Sequence, residues 1–466
     1  MITRRSFLKS TGATALAAGG GLPAMMTAMQ ARAADTTGYK ALVCVFLLGG
    51  LDCHDTILPY DQISYDRYAD LRASLLNDYA ALPGGSSRAR DQLLPLAPGN
   101  AAAFGGREFA LPPQLSALHT LFQNGDAAII GNVGPLIESI DSAGFAGNAI
   151  PAPKRLFSHN DQQSTWMSFE PEGARYGWGG LFGDAQLASN ANGEPAFTAI
   201  SLTGNEVFLS GEATRPYAID SNGVQEIALI DDDVVALPPA LAAVLREHFE
   251  SVGPERANLF ERDIVDASVR SLTANDTFNA SLMDAPSPVT TPFPNSNLGQ
   301  QLRAVADTIN IRNLLNVNRQ IFFVATGGFD THSGQAQTLP VLQQDVSDSI
   351  AAFHGAMQSL GVDNDVTAFT ASDFGRTLII NGDGTDHGWG GHHVVVGGGV
   401  NGGDIYGDIP VFDVGHAQDA GNGRLIPTTS VEEYAASLGA WFGLTPAELA
   451  AALPRLSNFT GGLAFV

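Results

Sequence analysis

Leu42-Val43-Cys44-Val45-Phe46-Leu47-Leu48 is an unbroken apolar run that ends in Gly49-Gly50-Leu51-Asp52. A strand with one wet face alternates apolar and polar residues. A run without polar interruption suits a strand buried on both faces, as in a parallel sheet covered by helices. Further apolar runs lie at 127–130, 196–202, 321–326, 366–370 and 394–396, and the one at 321–326 also ends in a glycine pair, Gly327-Gly328. Helical spacing marks 115–122, and 341–360, just after Pro340, reads as a long amphipathic helix. Strands alternating with helices predict an α/β fold with a mostly parallel sheet flanked by helices. In such sheets chemistry collects at the carboxyl ends of the strands.

The polar residues that follow the strands are therefore the candidates. Asp52 projects just past Gly49-Gly50; its plain alternative is an Asp-capped turn. Phe157-Ser158-His159-Asn160-Asp161 offers a serine beside a histidine, or else a helix start capped by Ser158 or Asn160. Gly327-Gly328-Phe329-Asp330-Thr331-His332 places a carboxylate and an imidazole two residues apart, on one side of an extended chain. Both then reach one metal ion, and the ligand types suit zinc, manganese or iron. Asp373 and Arg376 follow the run at 366–370, where the guanidinium is expected to hold an oxyanion in a two-toothed grip. Thr385-Asp386-His387-Gly388-Trp389-Gly390-Gly391-His392-His393 packs three histidines and an aspartate among glycines, which add nothing to a core. The density of Asp386, His387 and His392 points to metal or catalysis. Carboxylates and imidazoles recurring after separate strands predict a divalent metal centre, and ester hydrolysis at phosphorus or sulfur fits such a centre.

The first residues carry a different message. Thr3-Arg4-Arg5-Ser6-Phe7-Leu8-Lys9 precedes an Ala/Gly/Leu-rich stretch and Ala31-Arg32-Ala33. That is the order of a secretory signal, and the paired arginines indicate the twin-arginine route, with its export machinery as partner. The expectation is a signal peptide over 1–33, cleavage after Ala33 and a mature chain in the periplasm or outside the cell. The apolar stretch is too short and too rich in glycine for a stable membrane anchor. The remainder exceeds the ~250–300 residues at which one core stops growing. One α/β domain over 34–466 with an insertion or cap at about 171–310 is expected.

The chain has 24 Lys and Arg against 48 Asp and Glu, a net charge of −24. Nucleic-acid binding would work against that field, so no nucleic-acid partner is expected. Cys44 and Cys53 are the two cysteines, too distant along an extended chain to pair there. Ser430…Glu433 and Thr445…Glu448 read as capping boxes that start short helices.

At these residues the chain resembles the bacterial family called domain of unknown function 1501. The likeness lies in the twin-arginine start, Gly-Gly-Leu-Asp near residue 50, Ser-His-Asn-Asp-Gln at 158–162 and Gly-Gly-Phe-Asp-Thr-His at 327–332. It continues in Ser-Asp-Phe-Gly-Arg-Thr at 372–377 and Thr-Asp-His-Gly-Trp-Gly at 385–390. That family is grouped with the alkaline phosphatase/sulfatase-like superfamily. The grouping implies a hydrolase of small anionic esters that uses a divalent metal such as zinc, manganese or calcium. By position, Asp52 resembles the first-strand metal aspartate and Ser158 the nucleophile. Asp330 and His332 resemble the pair on one metal, Asp373 a ligand of the other, and His387 the late histidine. Two departures stand out: Asp330 and His332 are closer in sequence than the superfamily's pair, and Phe374 follows Asp373 where an imidazole is expected. His54, His392 or His393 would then replace the missing ligand, or one metal is lost. The alternative function is a non-catalytic secreted binding or assembly protein that retains the fold.

Overall fold

Alternate residues of the Leu42–Leu48 run serve opposite faces of one strand, which is why the run contains no polar break. Val43, Val45 and Leu47 pack into one core with Phe322, Val324, Leu302 and Ile350. Leu42, Cys44 and Phe46 pack into a second core with Phe323, Phe369, Trp166 and Tyr434. The two cores lie on the two sides of the sheet, as the period of two requires.

The computed structural model describes residues 33–466 except 84–86, 205, 222, 225–238, 251–257, 286–287 and 460–461. The signal expected over 1–33 therefore falls, apart from its last residue, outside the described residues. Eleven strands frame the site: β1 (Lys40–Leu47), β2 (Ala127–Gly134), β3 (Ala199–Ser201), β4 (Tyr217–Ala218), β5 (Arg319–Thr326), β6 (Val366–Ser372), β7 (Arg376–Asn381), β8 (Gly384–His387), β9 (Gly391–Val396), β10 (Ile405–Gly407) and β11 (Thr429–Ser430). β7 and β8 form a separate hairpin; the other nine make one sheet in the order β10-β2-β9-β6-β1-β5-β3-β4, with β11 beside β2. β1 pairs in parallel with both β5 and β6. β9 alone among these nine strands runs antiparallel, against β2 and β6. The expectation of a mixed α/β fold with a mostly parallel sheet is met.

One core is closed by the helices Ser116–Asn124, Asn297–Asn310 and Gln335–Leu360, the other by His159–Ser168, Trp178–Ala188 and Val431–Phe442. The long helix starts at Gln335, so Pro340 lies inside it rather than before it. Both capping boxes form: Ser430 with Glu433 and Thr445 with Glu448. The stretch expected as an insertion or cap, 171–310, contributes β3 and β4 to the sheet and the helices from Trp178–Ala188 to Asn297–Asn310. Both cysteines are buried and free. No helix among the described residues is long and apolar enough to cross a membrane.

Candidate metal centre

β1, β5 and β6 lie side by side, so the segments after Leu47, Thr326 and Ser372 emerge together at one sheet edge. Two glycines let them touch. Gly49 has φ +117°, and a Cβ there would stand 2.4 Å from the Asp330 backbone nitrogen. Gly50 has φ +91°, and its Cβ would stand 2.4 Å from the Phe374 ring. Only glycine combines those angles with that closeness. The Ser372 hydroxyl latches the arrangement: it donates to the Leu47 carbonyl at 2.6 Å and accepts from the Leu51 N–H at 3.0 Å.

Asp330 is the meeting point. His332 Nε2 and His387 Nε2 stand 3.1 and 3.2 Å from its Oδ1, and His159 Nε2 stands 3.5 Å from its Oδ2. The Nε2 atoms of His332 and His387 are 2.8 Å apart. His159, Asp330 and His387 each offer one ligand atom within 4.8 Å of the others. Burial disfavours the Asp330 carboxylate, but the hydrogen bond and charge of Arg376 outweigh it and hold its pKa below the usual range.

Two of the imidazoles are hydrogen-bonded on their far side. His159 Nδ1–H donates to Asp373 Oδ2 at 2.6 Å. His387 Nδ1–H donates to the Phe157 carbonyl at 2.8 Å. His332 Nδ1 lies 3.3 Å from Asp386 Oδ1. An acceptor at Nδ1 places the proton there and leaves Nε2 facing Asp330, which is the outer-shell arrangement of metal-ligating histidines. The hydrogen bond that His159 donates to Asp373 raises the pKa of His159 against the effect of burial. Burial lowers that of His387, which keeps it neutral with an open lone pair.

Local backbone strain positions one of these acceptors. Arg155 and Phe157 have φ of +56° and +70°. Bulky residues rarely adopt such angles, at a cost of about 1–3 kcal/mol each, and they cluster at functional sites. The turn aims the Phe157 carbonyl at His387 and delivers His159 as the first residue of its helix.

The expected residues separate into two groups. Asp330, His332, His387 and His159 converge, with Asp373 and Asp386 behind them. Asp373 is fully buried, and its oxygens accept from Gly49 N, Gln163 Nε2 and His159, so it orients the His159 imidazole and has its oxygens engaged. Arg376 differs from its expected role. Its side chain has 0% exposure and donates to Asp330, the Gly49 carbonyl and both oxygens of Thr385. A guanidinium so engaged positions Asp330 and has no access to a substrate oxyanion.

Asp52, Ser158 and His392 stand apart from the convergence. Asp52 is fully buried in a two-toothed pair with Arg72, at 2.7 and 3.1 Å, and accepts from Gln335 at 2.7 Å. The cation that balances it is this guanidinium, so its place as a metal ligand is taken. Ser158 stands at the N-cap position of its helix without a side-chain cap bond, because its hydroxyl donates to the Asp161 carboxylate at 2.9 Å. His392 accepts from the Asn132 N–H at 2.9 Å and lines an apolar cavity of about 40 Å³. Phe374 fills the place of the expected imidazole. Its ring packs on His159 and His387, with centroids 4.9 and 4.7 Å away.

Sequence reasoning overlooked Arg72, the Phe157 carbonyl, Gln163 and Arg424. Gln163 follows His159 by four residues, so both lie on one helix face, and that spacing was a usable signal. A backbone carbonyl carries no such signal. Arg424 donates Nε–H to the His387 carbonyl at 2.8 Å from a loop whose sequence is otherwise glycine-rich.

Comparison with known proteins gives a family and little else. A family model described as Protein of unknown function (DUF1501) matches residues 145–450. No curated protein matches the chain. Two crystal structures of Ps i-CgsB are similar, one of them in complex with k-i-k-neocarrahexaose. They share 8% identity, cover 90% of this chain and 77% of that one, and give TM-scores of 0.34 and 0.35. A likeness at that level carries no argument.

Proposed function

The chain belongs to the family described as protein of unknown function (DUF1501), and from that premise we propose that it is a metal-dependent hydrolase of phosphate or sulfate esters. The observation that carries the reading is the set of Nε2 atoms turned on Asp330 while the Nδ1 atoms of His159 and His387 are held from behind. His159, Asp330 and His387 would hold one divalent ion, with His332 beside them. Imidazole-rich ligation favours zinc, manganese or iron over calcium, which prefers oxygen ligands. Asp330 and His332 have side chains 44% and 41% exposed. An open face distinguishes a catalytic site from a closed structural one. A bound ion there supplies Lewis acidity toward an ester oxygen. The chain's own residues do the rest: Arg376 fixes Asp330, Asp373 fixes His159, and Phe374 shields the two imidazoles it packs on.

With Asp52 paired to Arg72, the proposal is a one-metal centre. An alkaline phosphatase/sulfatase-like architecture belongs to the proposal and rests on the strand-end positions of Asp330, His332, Asp373 and His387. Export through the twin-arginine route belongs to it as well and rests on Thr3-Arg4-Arg5-Ser6-Phe7-Leu8-Lys9. Phe374 and the Ser158 hydroxyl, already engaged by Asp161, favour a second reading, a non-catalytic binding protein with the same centre.

One experiment tests these statements together. The protein is purified from the exported fraction, and its metal content and its turnover of aryl phosphate and sulfate esters are measured against Asp330→Ala and His387→Ala. About one ion per chain in the wild type and a large loss in both variants is expected. Equal metal content in all three would sink the centre. Metal without turnover would leave the binding protein. Recovery in the exported fraction after Arg4→Lys with Arg5→Lys would remove the export route.

A further inference from the structure

A centre that handles an anionic ester needs a cation open to it, and Arg376 is enclosed. We propose that Arg424 grips the ligand oxygens that face away from the ion, and that the ligand is a tetrahedral oxyanion, phosphate or sulfate. The inference rests on the metal-centre reading above.

Arg424 is held by a rigid loop. Asp419 Oδ1 accepts from the Gly421 and Gly423 N–H groups at 2.7 and 2.9 Å. The loop is stitched to β7, where Leu378 N–H donates to the Gly423 carbonyl at 3.2 Å and Ile379 N–H to the Asn422 carbonyl at 3.1 Å. The side chain is then fixed three times. Nε–H donates to the His387 carbonyl at 2.8 Å, Nη1–H donates to the Gly421 carbonyl at 3.2 Å, and the guanidinium lies 5.3 Å from the Phe157 ring centre. His387 and Phe157 also build the centre, through the His387 imidazole and the Phe157 carbonyl, so Arg424 is anchored to the backbone and ring of residues whose other atoms form it.

What Arg424 lacks decides its use. Arg72, Arg88, Arg155 and Arg376 each pair with an aspartate. Among the described residues Arg424 pairs with no carboxylate: its acceptors are backbone carbonyls, and its Nη2 group makes no hydrogen bond. Its burial is intermediate, unlike the fully enclosed Arg376. A stacked, pre-oriented guanidinium fork with an unmatched charge suits a planar pair of phosphate or sulfate oxygens. Because the fork is fixed beforehand, little ordering remains to oppose binding.

The test uses the metal-loaded full chain. Inorganic phosphate and sulfate are titrated in separate calorimetric arms, and metal content is measured on the same samples. Arg424→Met is expected to keep the wild-type metal content and to bind the preferred anion about tenfold or more weakly, the loss of one charge-assisted contact. Arg424→Lys is expected to recover part of that loss, because an ammonium keeps the charge but neither stacks nor forks. If Arg424→Met does not fold, Arg424→Lys decides alone. Wild-type anion affinity at wild-type metal content in the deciding variant overturns the proposal. So does a metal-loaded wild type that binds neither anion. A wild type that takes up no metal is a different failure, that of the centre itself. The stronger of the two wild-type arms identifies the oxyanion.

Discussion

Asp330 meets three imidazoles and one guanidinium, yet its partners have different work. Arg376 is fully buried and keeps the carboxylate ionised. The imidazoles are partly open and face it through their Nε2 atoms. If Arg376 were the substrate's cation and Asp330 only its counter-ion, nothing would require the histidines to be anchored at Nδ1. The anchoring makes Asp373 a positioning residue with a measurable effect. Asp373→Asn weakens the hydrogen bond on Nδ1 and removes the charge that, after that bond, raises the His159 pKa. The expected result is metal affinity reduced about 10- to 100-fold, the usual cost of an outer-shell carboxylate. A chelator competition titration measures it. Affinity within twofold of wild type would mean that His159 is not a ligand.

The strand-end turns decide whether those residues meet. Gly49 and Gly105 both have positive φ, +117° and +63°, but only at Gly49 would an added Cβ meet a neighbour, the Asp330 nitrogen at 2.4 Å. A Cβ at Gly105 would have nothing within 4 Å. Gly105→Ala should therefore cost only the left-handed penalty of ~1 kcal/mol, whereas Gly49→Ala must also push the Asp330 segment away, for about 1–3 kcal/mol more. Urea unfolding of the two variants compares the costs, and the metal affinity of Gly49→Ala should fall while that of Gly105→Ala holds. Equal costs would mean that the turns do not depend on close approach. The same turns explain what the sequence revealed. The runs at 42–48, 321–326 and 366–370 were legible because burial on both faces leaves no polar break, and glycine pairs marked where two of them stop. The direction of β9 was not legible from its own residues. It follows from the short connection after β6, which holds a hairpin and no helix and so returns the chain antiparallel. Asp330, His332 and His387 stood out among glycines that add no core. The partner of Asp52 did not, because Arg72 lies twenty residues on, between two helices, with nothing local to link the two.

At the scale of the whole molecule, buried titratable groups set opposing responses to acid. Burial pushes His54 down to about 4 and His393 down to about 3, and His392 lies well below its usual value as well. The unfolded chain binds these protons near pH 6.5, so stability is full above that pH and is lost as pH falls toward the folded values. By pH 4, His54 and His393 each withdraw about 3 kcal/mol, at 1.36 kcal/mol per unit. Glu432 acts the other way. It is 1% exposed, neither carboxylate oxygen has a hydrogen-bond partner, and burial pushes its pKa up to about 7. Arg455 stands 3.7 Å away, too far to offset that burial. Ionisation of Glu432 costs about 3 kcal/mol above pH 7, and that cost is relieved as pH falls toward 4.5. Among these three groups the histidines win: His54 and His393 together withdraw about 3 kcal/mol more between pH 7.5 and pH 4 than Glu432 returns, a large part of a typical 5–15 kcal/mol. Asp52 and Asp330, whose pKa values are lowered, add to the loss only below about pH 4. Glu432→Gln separates the two responses. It should raise the unfolding free energy by about 3 kcal/mol at pH 8, change it little at pH 4, and so roughly double the acid loss. Urea unfolding at the two pH values reads this directly. A variant curve parallel to the wild type across that range would show that Glu432 is not ionised at a cost, and that the histidines alone set the response.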